Sequence, residues 1–243
     1  MAINTYWFVN MYTVIMSATN AFSKWLKLEL PRIPSPDGKR IGTQPLLTNE
    51  LQVSWQCHVI QNFYKHGEYT VIAIEANSRY CILMPFVSAP TLEEFERVFF
   101  ASWHGHFVNY YTQQCNLNQH NIDSLIHSIM NLNPTINWVR NTDMSINGHV
   151  SDTEQWVKQM LVDYDLQYLN EEDATGLAHH INSLQKRAKK GQSSSKKFIP
   201  IDRFIDDGIS RFIETKNKSK PQPSMQNNNV VSLEEFRNKL SKI

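Results

Sequence analysis

The 243-residue sequence predicts an α+β protein: an antiparallel sheet in the N-terminal half covered by helices, followed by a helical, partly disordered basic tail. Three observations carry that expectation. Between residues 51 and 86, apolar and β-branched runs alternate with connections short enough for hairpins. From residue 90 to 185 the apolar period changes to that of helices, with two capping-box patterns. The charge then reverses: residues 1–185 hold 10 Lys/Arg against 17 Asp/Glu, and residues 186–243 hold 14 against 6. An acidic body (1–185) and a basic tail (186–243) are the units this predicts.

In chain order, "MYTVIMSA" (Met11–Ala18) reads as a strand. Thr19 is placed to cap a short helix carrying Phe22, Trp25, Leu26 and Leu28. "PRIPSPDGKRIGTQP", with four prolines and two glycines, is a surface loop. "LQVSWQCHVIQNF", "YTVIAIEA" and "RYCILMPF" follow as strands, antiparallel to one another because only "YKHGE" and "NS" separate them. "PTLEEFERVFFASW" opens with Thr91 and Glu94 in capping-box register, and its helix is expected to end near "SWHGHF". "NIDSLIHSIMNL" is a second helix, "INWVR" a further strand, and "SDTEQWVKQMLVDY" a helix capped by Ser151 with Glu154. "EEDATGLAHHINSLQKRA" is a last helix of the body, and the helices are expected to cover one face of the sheet.

The tail divides into a basic linker, "KRAKKGQSSSKK", an amphipathic segment (198–214) with Ile201, Ile205, Ile209 and Phe212 on one face, a disordered linker (215–229), and a terminal helix (231–242). The terminal helix is the most completely signalled of all. Ser232 and Glu235 form a capping box, Val231 and Phe236 a hydrophobic staple, and Lys239 and Lys242 stand where the helix dipole favours cations. A helix this short is marginal alone in water, so its apolar face of Leu233, Phe236 and Leu240 must dock on something, either its own body or another molecule.

Few residues offer chemistry. His104 and His106 flank Gly105, and a His-x-His pair on extended backbone can hold zinc or manganese, which would suit a metal-dependent hydrolase or nuclease; on a helix the two rings face apart. Glu75 stands on an apolar strand, as in metal-dependent nucleases, yet Asn77 replaces the lysine such sites carry two residues on. The polar run Arg140, Asn141, Asp143, Ser145 and Asn147 is either a binding loop or a set of side chains bonding their own turns. Lys186, Arg187, Lys189, Lys190, Lys196 and Lys197 could bind nucleic acid through phosphates, an acidic protein surface, or only water. Eight glycines argue against phosphate-cradling loops, and three cysteines at no metal-like spacing suit a reduced compartment. With no run of 18 apolar residues and no basic leader, the expectation is a cytoplasmic protein without membrane contact.

"SATNAFSKWLKL", "SWQCHVIQNFYKHGEYTVIAIEANSRYCILMPF", "TLEEFERVFFASW" and "RNTDMSINGHVSD", in that order, resemble the bacterial family termed domain of unknown function 6933 over about residues 11–165. Ala18-Thr19, Trp55, Asn77 and Arg140 through Gly148 stand in the family's recurrent places. The resemblance implies a bacterial cytoplasmic α+β domain, singles out the Arg140–Gly148 stretch, makes the first ten residues an extension, and implies no activity. The combined reading is a non-enzymatic binding or regulatory protein, antitoxin-like or defence-associated, that meets a partner protein through its tail.

Overall fold

The computed structural model describes residues 12–35, 38, 41–62, 68–115, 117–187 and 197–214. Five strands, β1 (Thr13–Ala18), β2 (Gln52–Gln61), β3 (Tyr69–Glu75), β4 (Cys81–Phe86) and β5 (Thr135–Arg140), form one sheet in the order β4-β3-β2-β1-β5. The expected hairpins are present: β2 pairs antiparallel with β3, and β3 with β4. The sheet is nevertheless mixed, which corrects the antiparallel expectation. β1 runs parallel to both neighbours, with Met16 opposite Trp55 on β2 and Trp138 on β5. Parallel neighbours need long crossovers, and the stretches from residue 19 to 51 and from 87 to 134 supply them.

Side chains alternate across the strands, and both faces are apolar. Val14, Met16, Ala18, Val53, Trp55, Cys57, Val71, Ala73, Ile82 and Met84 point into one core. Ile60, Ile72, Ile74, Cys81 and Leu83 point into another. A sheet with two apolar faces requires cover on both, so the expectation of helices on one face is also corrected. The first face carries α1 (Asn20–Trp25), α2 (Leu92–Cys115) and α3 (Gln119–Met130). The second carries α4 (Met144–Asp163) and α5 (Glu171–Ser183). Aromatic rings dominate the first core: Trp55 lies edge-on to Phe99 at 5.1 Å and to Trp103 at 5.4 Å, and Phe22 stacks on Trp138 at 5.9 Å.

Several helix boundaries differ from expectation: α1 ends at Trp25, short of Leu28, α5 ends at Ser183, short of Lys186 and Arg187, and two larger differences have a clear cause. α2 does not end near His104 but continues to Cys115, because Phe107 and Tyr110 extend the buried stripe of Phe95, Phe99 and Trp103. Gly105 lies within that helix, with no atom near the position of a Cβ. α4 begins seven residues before the Ser151 box, capped by Asp143, because Ile146 and Val150 in its first turns are buried in the second core. At the β4 edge, Asn182 of α5 replaces a neighbouring strand. Its side chain accepts from Cys81 N and donates to Cys81 O, both at 2.8 Å, so this edge is partly closed to further pairing.

The amphipathic segment of the tail is integrated into the first core. Short strands β6 (Lys186–Arg187) and β7 (Lys197–Phe198) pair with each other, and α6 (Pro200–Gly208) continues into a π-helical segment, Ile209–Glu214. Phe204, Ile205 and Phe212 are buried with the sheet residues, and the Phe204 ring stacks on Tyr80 at 3.8 Å. The apolar face read from Ile201, Ile205, Ile209 and Phe212 is thus packed against the body. Lys189, Lys190 and Lys196, the 215–229 linker and the 231–242 helix lie outside the described residues.

Candidate binding surfaces

In an open sheet with parallel strands, the natural crevice lies beyond the carboxyl ends, where successive strands send their chains to opposite faces. β1 and β5 meet that description: β1 leads to α1 on the first face and β5 to α4 on the second. The crevice is filled by the chain's own loop at residues 41–47. Asn141 is buried and forms a paired contact with one backbone unit, its Oδ1 accepting from Gln44 N at 2.7 Å and its Nδ2 donating to Gln44 O at 2.9 Å. Asp143, also buried, accepts from Leu46 N at 2.8 Å and from Ser145 N at 2.7 Å, so one carboxylate caps α4 and anchors the loop. Ser17 donates to Asn141 O at 3.0 Å, and Gln56 Oε1 accepts from Asp143 N at 2.7 Å. Gly42, at a φ of 78°, takes a backbone conformation few side chains tolerate, and an added Cβ would stand 3.3 Å from Arg140 O.

Asn141 and Asp143 therefore hold the fold's own backbone, while Arg140 and Asn147 are half-buried beside them. Asp143→Ala removes a helix cap and a loop anchor together and is expected to cost about 2 kcal/mol. Hydrogen exchange checks this: the Gln44 and Leu46 amides should lose protection before the sheet does.

A strip of basic groups lies on the α4 side of the β3–β4 turn, brought together by the fold from separate stretches of sequence. Arg79, at a φ of 59°, donates from Nη2 to Ser145 Oγ at 3.0 Å and from Nη1 to Ala76 O. Burial brings the pKa of His149 down to about 4, helped by the nearby cations of Arg79 and Lys186 and opposed by Asp152. Lys186 is half-buried here, and Arg187 and Lys197 are exposed across the β6–β7 pair. Sequence spacing does not reveal it, since Arg79 lies 66 positions before Ser145 and further still from His149 and Lys186.

His104 and His106 are on different sides of α2. His106 Nδ1 lies 3.1 Å from Tyr80 Oη, whereas the His104 ring meets Phe212 edge-on at 5.6 Å and its Nε2 is buried with no hydrogen-bond partner. Among the described residues no group of three or more His, Cys, Asp or Glu side chains is arranged to hold a metal ion. Glu75 is fully enclosed: its carboxylate accepts from Asn77 N at 2.9 Å, from Ser78 N at 2.5 Å, from Ser78 Oγ at 2.6 Å, and from Thr48 Oγ1. Burial raises its pKa against those bonds, and the arrangement fixes the β3–β4 turn.

Burial lowers the pKa of both His104 and His106 to about 4. A base with a depressed folded-state pKa binds fewer protons folded than unfolded, so its contribution is present above about pH 6.5 and lost as pH falls toward 4. Each ring is expected to contribute about 1–3 kcal/mol of acid sensitivity. Urea unfolding at pH 7, 5.5 and 4.5 should show the decline, and His104→Gln with His106→Gln should make it shallower, with the half-buried His149 and His58 keeping their share.

Among the described residues an apolar surface stays open beside α2. A groove of about 580 Å³ between α2 and α3 is lined by Phe100, His104, Val108, Ile126, Ile129 and Met130. Met130 on its rim is 77% exposed. Among the described residues no helix is long and apolar enough to cross a membrane. No protein-family model matches this chain, and no curated protein matches it.

Proposed function

We propose that this is a non-enzymatic binding protein of the regulatory kind, antitoxin-like or defence-associated in its design, that captures another protein with its basic tail and terminal helix. The observation that supports it most is the anchoring of residues 197–214. Phe204, Ile205 and Phe212 are buried, and Arg211 donates to Asn49 O at 3.1 Å, so the tail beyond Glu214 is rooted at a fixed point on the body. From that root follow a tether poor in apolar residues until Val230 and a segment with a capping box, a staple and a single apolar face. Leu233, Phe236 and Leu240 at i, i+3 and i+7 suit a groove on a partner, and the lysines around them suit an acidic rim. The filling of the strand-end crevice by residues 41–47 leaves that crevice serving the fold, which also fits a binding role better than a catalytic one.

The test is affinity purification of the full-length protein beside a version ending at Asn229, each from its own cells. A protein retained only by the full-length form, and lost again with Phe236→Asp, is the expected result. Identical sets from both forms would overturn the reading.

A further inference from the structure

Near the end of the described chain, one aromatic side chain touches a residue of the open groove. Phe212, two residues before Glu214, has its ring 5.6 Å from that of His104 and 5.1 Å from that of Phe107, and His104 lines the groove. We infer that residues 231–242 dock in the α2/α3 groove of their own chain, and that a partner protein must draw them out. The inference rests on the reading of this segment as a docking helix, and adds where the helix is kept when no partner is present.

Reach, register and charge support it. Sixteen residues, 215–230, separate Glu214 from the segment, and a chain of that length can reach at most roughly 50 Å. The whole of the 24-residue α2 is about 36 Å long, so no part of the groove is out of range. Leu233 to Leu240 covers about 10 Å along a helix, while the α2 lining from Phe100 to Thr112 covers about 18 Å. Three apolar anchors therefore fit in a single register against Val108, Ile126, Ile129 and Met130, and docking would cover Met130. The segment 215–243 holds six Lys/Arg against two Asp/Glu, and the 1–185 body is acidic. A tether of this length supplies an effective concentration of about 1 mM, enough to keep a contact of about 0.1 mM intrinsic affinity mostly closed.

Methyl NMR of purified protein reads the groove directly. The Met130 methyl signal should differ between the full-length chain and the version ending at Asn229. Hydrogen exchange of α3 amides should be at least tenfold faster in the truncated form, and Phe236→Asp in the full-length chain should reproduce both changes. A synthetic peptide of residues 230–243 added to the truncated form should restore the full-length signals. Met130→Asp, on an exposed rim position, should leave the fold intact and speed tryptic cleavage at Arg237 and Lys239 at least tenfold. Unchanged Met130 and α3 signals on truncation would overturn the inference and leave the groove to another occupant, the first eleven residues included. Signals that depend on protein concentration, with a doubled mass, would overturn docking within one chain in favour of exchange between two copies. The two readings fail separately: partner capture without a Met130 change sinks only this inference, and a Met130 change without partner capture sinks only the proposed function.

Discussion

Arg211→Ala is expected to be among the most destabilising single substitutions in this chain, at about 3–5 kcal/mol, because it removes one half of a buried ion pair. The Arg211 side chain is 4% exposed, donates to Asp207 at 2.8 Å and 3.1 Å, and reaches Asn49 O at 3.1 Å and Glu50 O at 3.4 Å. Its guanidinium also lies 5.4 Å from the centre of the Tyr12 ring. One side chain thus joins the end of the described chain, the approach to β2 and the start of β1. Removing it leaves Asp207 half-covered without its cation, takes a donor from Glu50 O, and leaves Asn49 O with only the longer bond from Gln52 N at 3.4 Å. Thermal unfolding should show a midpoint lower by about 10 °C or more. The double variant Arg211→Ala with Asp207→Ala should recover part of the loss, since the stranded carboxylate is then gone as well. A change below about 1 kcal/mol would mean that residues 197–214 are not held as described.

Gly208→Ala should cost about 3 kcal/mol, far above the usual effect of adding one methyl to a helix. An ideal Cβ at this position would stand 2.2 Å from one ring carbon of Phe107 and 2.3 Å from another. The ring cannot retreat easily: it is fully buried, stacked on Tyr111 at 5.6 Å and packed against Phe212 at 5.1 Å and Phe204 at 6.4 Å. Overpacking of this kind displaces whole side chains rather than compressing them. Phe107→Leu opens space at the same spot, so the double variant should be more stable than the sum of the two single losses predicts. Strict additivity in urea unfolding would show that α6 does not approach α2 as closely as the geometry requires.

Much of the fold was legible in the sequence where the signal is local. Thr91 and Glu94 form the capping box their spacing implies, with Glu94 Oε2 accepting from Thr91 N at 2.8 Å and Thr91 Oγ1 accepting from Glu94 N at 3.2 Å. Thr19 accepts from Phe22 N at 3.4 Å and caps α1 as expected. Ser151 and Glu154 carry the same spacing and form no helix start, because the helix is already two turns old at Ser151. What decides between the two is whether preceding residues have a core to enter; Ile146 and Val150 do, and that core is built by strands more than sixty positions earlier. The parallel placement of β1 was hidden for a related reason. Its run of apolar residues fits either direction, and only the long crossovers argue for a parallel neighbour.

The candidate surfaces were legible in part. The density of Asn and Asp after β5 does mark a structurally demanding place, but Asn141 and Asp143 find their partners 97 positions away in a loop with no pattern that points back to them. Arg79 and Ser145 likewise meet across 66 positions. The groove depends on how α3 lies against α2, which no periodicity encodes.

The late position of α6 has a consequence for synthesis. Phe204 and Phe212 complete a core whose other walls, α2 and the β3–β4 hairpin, are made roughly a hundred residues earlier. At about 5–20 residues per second, a ribosome leaves that aromatic surface of Tyr80, Trp103 and Phe107 uncovered for several seconds. During that interval the nascent chain presents a natural client surface for chaperones, and messages truncated before codon 197 should yield insoluble product while those ending just beyond codon 214 stay in solution.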